Sequence, residues 1–71
     1  MRYAIVIERG PESYSAYVPD LPGCIATGQT RAELLANMRA ALAMHLAGMR
    51  DAHLTIPEPT TEVDVIEATA A

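Results

Sequence analysis

Two prolines three positions apart, Pro19 and Pro22, fix the middle of this 71-residue chain. They stand in the run Tyr17-Val18-Pro19-Asp20-Leu21-Pro22-Gly23-Cys24. Each proline holds φ at about −65° and lacks a backbone donor, so neither continues a ladder or a helix interior. Gly23 takes up a positive φ without a Cβ penalty. Asp20 is a turn former whose side chain bonds nearby backbone. This pattern predicts a rigid corner between two strands rather than a flexible loop.

Ahead of the corner, residues Arg2–Glu8 alternate, with Tyr3, Ile5 and Ile7 on one side and Ala4 and Val6 on the other. Both sides are mostly apolar, which predicts a central strand covered on both faces. Gly10-Pro11-Glu12-Ser13 is a turn signal, and Tyr14–Val18 completes a hairpin. Cys24–Thr27 follows the corner as a third strand. Thr30 and Glu33 have the Thr-x-x-Glu spacing of a helix capping box. Beyond them Leu35, Met38, Leu42, His45 and Met49 recur at steps of three and four, flanked by Leu34, Ala41 and Leu46. Ala32, Ala36, Ala40, Ala43 and Ala47 raise helix propensity, while Glu33, Asn37 and Arg39 mark the opposite face. The helix is expected to fade at Gly48–Arg50.

Asp51–Thr61 reads as a loop, because Pro57 and Pro59 oppose regular structure. Glu62–Glu67 alternates again and predicts a last strand with Val63 and Val65 inward; residues 67–71 are a frayed tail. The element order is β-β-β-α-β, an α+β class with one helix packed on a four-stranded sheet, in a single domain 1–71 whose core spans 3–66. One helix covers one sheet face. The other face has no cover in this chain, and layer logic assigns it to a partner or a second copy.

Size points the same way. A domain this short buries a modest share of its surface, and small scaffolds gain stability from disulfides, metals or oligomerisation. Cys24 is the only cysteine, which removes an internal disulfide and a cysteine-based metal site. The formal net charge is −4, and the basic residues Arg2, Arg9, Arg31, Arg39 and Arg50 are scattered. Nucleic-acid binders cluster their basic residues, so direct nucleic-acid binding is disfavoured and a basic protein partner fits better. No apolar run reaches membrane-spanning length, and Met1-Arg2 leads into a short alternating run rather than a secretory leader. A cytoplasmic protein is expected, with no membrane association.

Taken in order, several stretches resemble the N-terminal domain of HicB-family antitoxins over roughly residues 3–66. The carriers are Tyr14-x-Ala16-x-Val18-Pro19-Asp20-Leu21-Pro22-Gly23-Cys24, Gly28-x-Thr30, Glu33-Leu34 with Asn37, Ala41-Leu42, His45-Leu46 and Ile56-Pro57-Glu58-Pro59. The resemblance implies a partial RNase-H-like (HicB-like) fold with a mixed sheet, in which the last strand pairs parallel to the first. It also implies an antitoxin of a type II toxin–antitoxin system that blocks a small, basic HicA-type mRNA-interferase by protein contact. Many members continue into a DNA-binding segment, and no C-terminal DNA-binding domain is expected here. His53 stands where similar sequences often carry glycine after the helix.

Candidate chemistry is sparse. Cys24 with His45 or His53 has the residue types of a thiol nucleophile and base, but no local motif supports the pair. A small buried thiol and a packed histidine account for Cys24 and His45. Glu8, Glu33 and Asp64 invite comparison with a two-metal nuclease; Glu33 already has a sufficient role in the capping box, and Asp64 is expected to face away from the helix. No catalytic, metal or cofactor residues are assigned, and the protein is expected not to be an enzyme. Met38 and Met49 fit the core, and Met44 sits off the helical stripe.

The residues expected to meet a partner are Glu8, Glu12, Tyr17, Asp20, Leu21, Glu62 and Asp64. Glu58 and Glu67 add to the acidic surface, whose summed charge steers a basic partner. Tyr17 offers an aromatic anchor. Three functions follow: an antitoxin binding module; a stand-alone HicB-like homo-oligomer, dimer or tetramer, with a regulatory or ligand-binding role; and a vestigial metal nuclease.

Overall fold

The corner forms as a pair of consecutive β-turns. In a computed structural model describing residues 1–69, Leu21 N–H donates to Val18 O and Cys24 N–H donates to Leu21 O, each at 3.1 Å. Each turn has its proline in the second position, where a fixed φ is favourable. Gly23, third in the second turn, has φ +87°, the left-handed value a type II turn requires. Val18 N–H reaches across to Cys24 O at 3.1 Å and closes the loop.

Around the corner lie β1 (Val6–Arg9), β2 (Tyr14–Tyr17) and β3 (Ile25–Gly28), followed by α1 (Arg31–Asp51). The strands form one antiparallel sheet in the order β1-β2-β3. The first strand is therefore an edge rather than the expected centre, and it starts at Val6 rather than Arg2. The ladder ends where Val6 faces Tyr17, because β2 turns into the corner and Pro19 has no donor to extend it. Residues before Val6 still pack inward: Tyr3, Ile5 and Ile7 lie against the core, on the side the alternation assigned to them.

Thr30 caps α1. Glu33 N–H donates to Thr30 Oγ1 at 3.0 Å, and the Glu33 carboxylate accepts from Gln29 N–H at 3.3 Å, one residue earlier than a standard capping box places the return bond. Asn37 Nδ2 donates to Thr27 O at 2.8 Å, tying the helix to β3. Gly28 permits this junction, since a Cβ there would stand 2.5 Å from the backbone nitrogen of Leu34. The helix runs three residues past Gly48, to Asp51. It then closes in a Schellman arrangement, with His53 N–H donating to Arg50 O at 3.0 Å and Leu54 N–H to Met49 O at 2.9 Å. His53 occupies the left-handed position at φ +56°, which explains why glycine suits that site.

The core comprises Ala16, Val18, Leu21, Cys24, Leu34 and Met38. Three of these six come from the corner, so it is a structural element in its own right. The helical stripe centres on Leu34 and Met38 rather than Leu35, with Ala41, Leu42, Leu46 and Met49 half-buried behind them.

The expected fourth strand does not form, and the sheet is three-stranded and wholly antiparallel rather than four-stranded and mixed. Two ties hold the chain after the helix: Tyr3 Oη donates to Pro57 O, and Asp20 grips Thr60 and Thr61. Beyond them Glu62–Glu67 has no ladder partner among the described residues, and Val63, Val65 and Ile66 are 71%, 87% and 89% exposed. Alternation supplies strand character, but a strand exists only where its backbone groups find an edge. These residues form an exposed terminal arm, in a molecule whose longest dimension is 51 Å. Of the frayed tail expected at 67–71, residues 70 and 71 lie outside the described residues.

Candidate protein-binding face

The strand register sorts the sheet into two faces. Residues directly opposite one another across an antiparallel ladder share a face. Ile7, Ala16 and Ala26 form one such row, which faces the core through buried Ala16. The neighbouring rows therefore face away from the helix: Val6–Tyr17–Ile25 is apolar, and Glu8–Ser15–Thr27 is polar. Tyr17 is 42% and Ile25 67% exposed. The uncovered layer expected from the sequence is thus a real surface, with an apolar strip flanked by a carboxylate and two hydroxyls.

The seven residues expected at a partner surface fall into three groups. Glu8 and Tyr17 share the open face, and exposed Glu12 sits at the β1–β2 turn beyond its end. Glu62 and Asp64 lie apart from them, exposed on the terminal arm. The other two have duties inside the chain. Leu21 is 1% exposed, held in the core by the two turns that flank it, so its assignment to a partner surface is corrected.

Asp20 accepts four hydrogen bonds. Its Oδ2 receives Thr60 N–H and Thr61 N–H, each at 3.1 Å, and its Oδ1 receives the Thr60 hydroxyl at 3.1 Å and the Thr61 hydroxyl at 2.8 Å. The Thr61 backbone and hydroxyl hold the Asp20 carboxyl below its ordinary range; desolvation opposes them, and the Thr60 backbone and hydroxyl add further lowering. This clamp fixes the root of the arm to the corner. The sequence offered one signal for it, a Thr-Thr pair just past Pro59, and nothing there tied that pair to a residue forty positions earlier.

Burial pushes the Cys24 thiol up, opposite to the shift that activates a nucleophile. Among the described residues, no group of three or more His, Cys, Asp or Glu side chains is arranged to hold a metal ion. No helix among them is long and apolar enough to cross a membrane. A shallow apolar groove, not foreseen from the sequence, lies between the start of β3 and the second half of α1, lined in part by Gly23, Ile25, Met44, Gly48 and Leu54.

Known proteins supply the context for this face. An uncharacterised 14.9 kDa protein of Haemophilus phage HP1 is 36% identical over 58 residues, which cover 82% of this chain and 44% of the phage protein. The chain thus spans less than half the length of that relative. A UPF0150 protein of Thermoplasma acidophilum is 29% identical over 69 residues, covering 96% of this chain and 100% of its own. A chain of a solved HicA3 and HicB3 toxin–antitoxin complex superimposes with a TM-score of 0.73 at 30% identity, covering 84% of this chain and 70% of the other. The family model described as HicB-like antitoxin of bacterial toxin–antitoxin systems matches residues 3–70. Antitoxins of this kind are non-catalytic binding proteins, in keeping with an open face and an inert thiol, and this chain belongs to the HicB-like antitoxin family.

Proposed function

We propose that this chain neutralises a HicA-type toxin by direct protein contact, using the open sheet face as its docking surface. The observation that carries the reading is the row Val6–Tyr17–Ile25 beside Glu8, an apolar strip with an acidic flank on a face that no helix or strand among the described residues covers. Tyr17 is the anchor. Glu8 and Glu12 supply charge at one end of the face, and Glu62 and Asp64 bring more on the arm. With a net charge of −4, the chain complements a basic toxin and speeds its encounter. The same acidity argues against direct nucleic-acid binding.

The antitoxin also self-associates, as a homodimer or homotetramer, because a chain this short leaves substantial apolar surface uncovered when alone. That surface equally favours a second reading, a stand-alone HicB-like homo-oligomer with a regulatory or ligand-binding role. Affinity purification of the tagged chain from its native lysate separates the two. A stoichiometric small basic protein, whose toxicity on expression this chain relieves and whose binding weakens in Tyr17→Ala and Glu8→Lys, is the expected result. Recovery of the chain alone as a defined oligomer would leave the stand-alone reading.

A further inference from the structure

Two unpartnered features of this chain fit each other. The first is the groove beside β3. Gly23 and Ile25 form one bank, and Met44, His45 and Gly48 of α1 form much of the other. Since the sheet order is β1-β2-β3, β3 is an edge strand; Asn37 takes the Thr27 carbonyl at its far end, and the end beside the groove, at Ile25, has no strand alongside it among the described residues. Gly48 leaves the helical bank bare, for a Cβ there would meet nothing within 4 Å. Met44 is 75% exposed on the same bank.

The second feature is the arm. In an extended chain Val63 and Val65 lie on one side, and Glu62 and Asp64 on the other. All are exposed. The Asp20 clamp at Thr60 and Thr61 fixes the root of this segment, so the arm leaves the body from a defined point. An edge strand beside an apolar groove and a free alternating segment are the two halves of a strand-addition interface: the backbones pair, and alternate side chains fill the groove.

We infer that residues 62–67 of one copy add as a strand to the β3 edge of a second copy, seating Val63 and Val65 in the groove beside Met44 and Gly48. A second copy is the occupant because both halves are carried by one chain. A two-fold pair satisfies two arms and two grooves at once, with nothing left over. The arm has no ladder partner in its own sheet and its Val63, Val65 and Ile66 are exposed, which suits exchange between chains. Glu62 and Asp64 then face outward, where a basic toxin meets them. The inference rests on the self-association proposed above and is independent of the toxin.

Light scattering on the chain alone tests it. The expected mass is at least twice the 7.6 kDa of one chain. Joining Val63→Asp with Val65→Asp reduces it to one chain, and so does Gly48→Arg, which fills the groove. All three positions are exposed, so the helical circular-dichroism signal stays unchanged in these variants. Mixing chains carrying Met44→Cys with chains carrying Val65→Cys under a mild oxidant yields a cross-linked dimer. A wild-type monomer overturns the inference, as does a dimer that survives the arm substitutions. So does a dimer that yields only to Val6→Asp, which would place the open face between copies. Cross-linking of positions 44 and 65 solely within one doubly substituted chain would assign the arm to its own groove. Arm amides protected from exchange only after a HicA-type toxin is added would assign it to the toxin. Because self-association is read on the chain alone and toxin binding by co-purification, either can fail without the other.

Discussion

The corner at Val18–Cys24 and the arm at residues 62–69 are both short, without helix or strand, and contain several apolar residues, yet they meet opposite fates. Val18, Leu21 and Cys24 are at most 3% exposed, whereas Val63, Val65 and Ile66 are at least 71% exposed. Hydrophobicity does not separate them. The corner has both ends tied by the Val18–Cys24 bond and its interior by two turns, and its two prolines leave few conformations to lose on ordering. Among the described residues the arm is tied at its root, by the Asp20 clamp, and at no later point to the body. Burial in this small domain follows closure of the backbone, and apolar side chains on an unclosed segment stay in water until another chain supplies the edge.

The strongest way to break that comparison is to truncate one apolar side chain in each region. Leu21→Ala is expected to cost about 2–5 kcal/mol, a large share of the roughly 5–15 kcal/mol available to a domain. Val65→Ala is expected to change the stability of the isolated monomer by less than about 0.5 kcal/mol. Urea denaturation of both variants in the Gly48→Arg background measures the contrast, and equal losses would erase it. Next in size is Gly23→Ala. A Cβ there meets nothing within 4 Å, so the expected loss of about 1–2 kcal/mol comes from the left-handed backbone alone. A neutral result would mean that the corner tolerates another turn type.

His53→Gly sharpens the same point with the opposite sign, since histidine there holds φ +56°. Relief of that strain, less the added freedom of glycine when unfolded, is expected to raise stability by about 0.5–1 kcal/mol. The smallest global effect and the largest local one belong to Asp20→Asn. Its mark is faster hydrogen exchange at the Thr60 and Thr61 amides, with the midpoint of unfolding little changed. The clamp also has a pH signature. The folded Asp20 carboxyl titrates below its unfolded value, so its contribution is complete above the unfolded value and is lost as pH falls through the folded one. Protection of those two amides should therefore persist from neutral pH into the ordinary carboxylate range and vanish in stronger acid.

Local patterns carried much of the fold. Thr30 and Glu33 announced the helix start, Gly10–Ser13 the hairpin, and Pro19, Pro22 and Gly23 the corner, because each is decided within a few residues. What escaped was decided at long range. Nothing near Asp20 revealed that its carboxylate would hold Thr60 and Thr61, nor did anything near Tyr3 point to Pro57. The alternation of Glu62–Glu67 was read as a last strand of this chain's own sheet, and no such strand forms, since periodicity reports which side chains share a face and is silent on which edge receives them. The candidate face was half legible: Glu8 and Tyr17 share it, while Leu21 was drawn to the surface by its place in a turn, a location that gave no hint of the core it helps to build.

The single thiol has a practical consequence. Cys24 sits within the corner at 3% exposure, and burial favours its protonated form, so a folded chain withholds it from alkylating reagents. Modification requires the two turns to open. The rate at which a maleimide labels the native protein thus serves as a built-in clock for opening of the corner, and comparing that rate with and without a bound partner would show whether docking on the open face, whose Tyr17 and Ile25 flank the corner, steadies the turns on which the core depends.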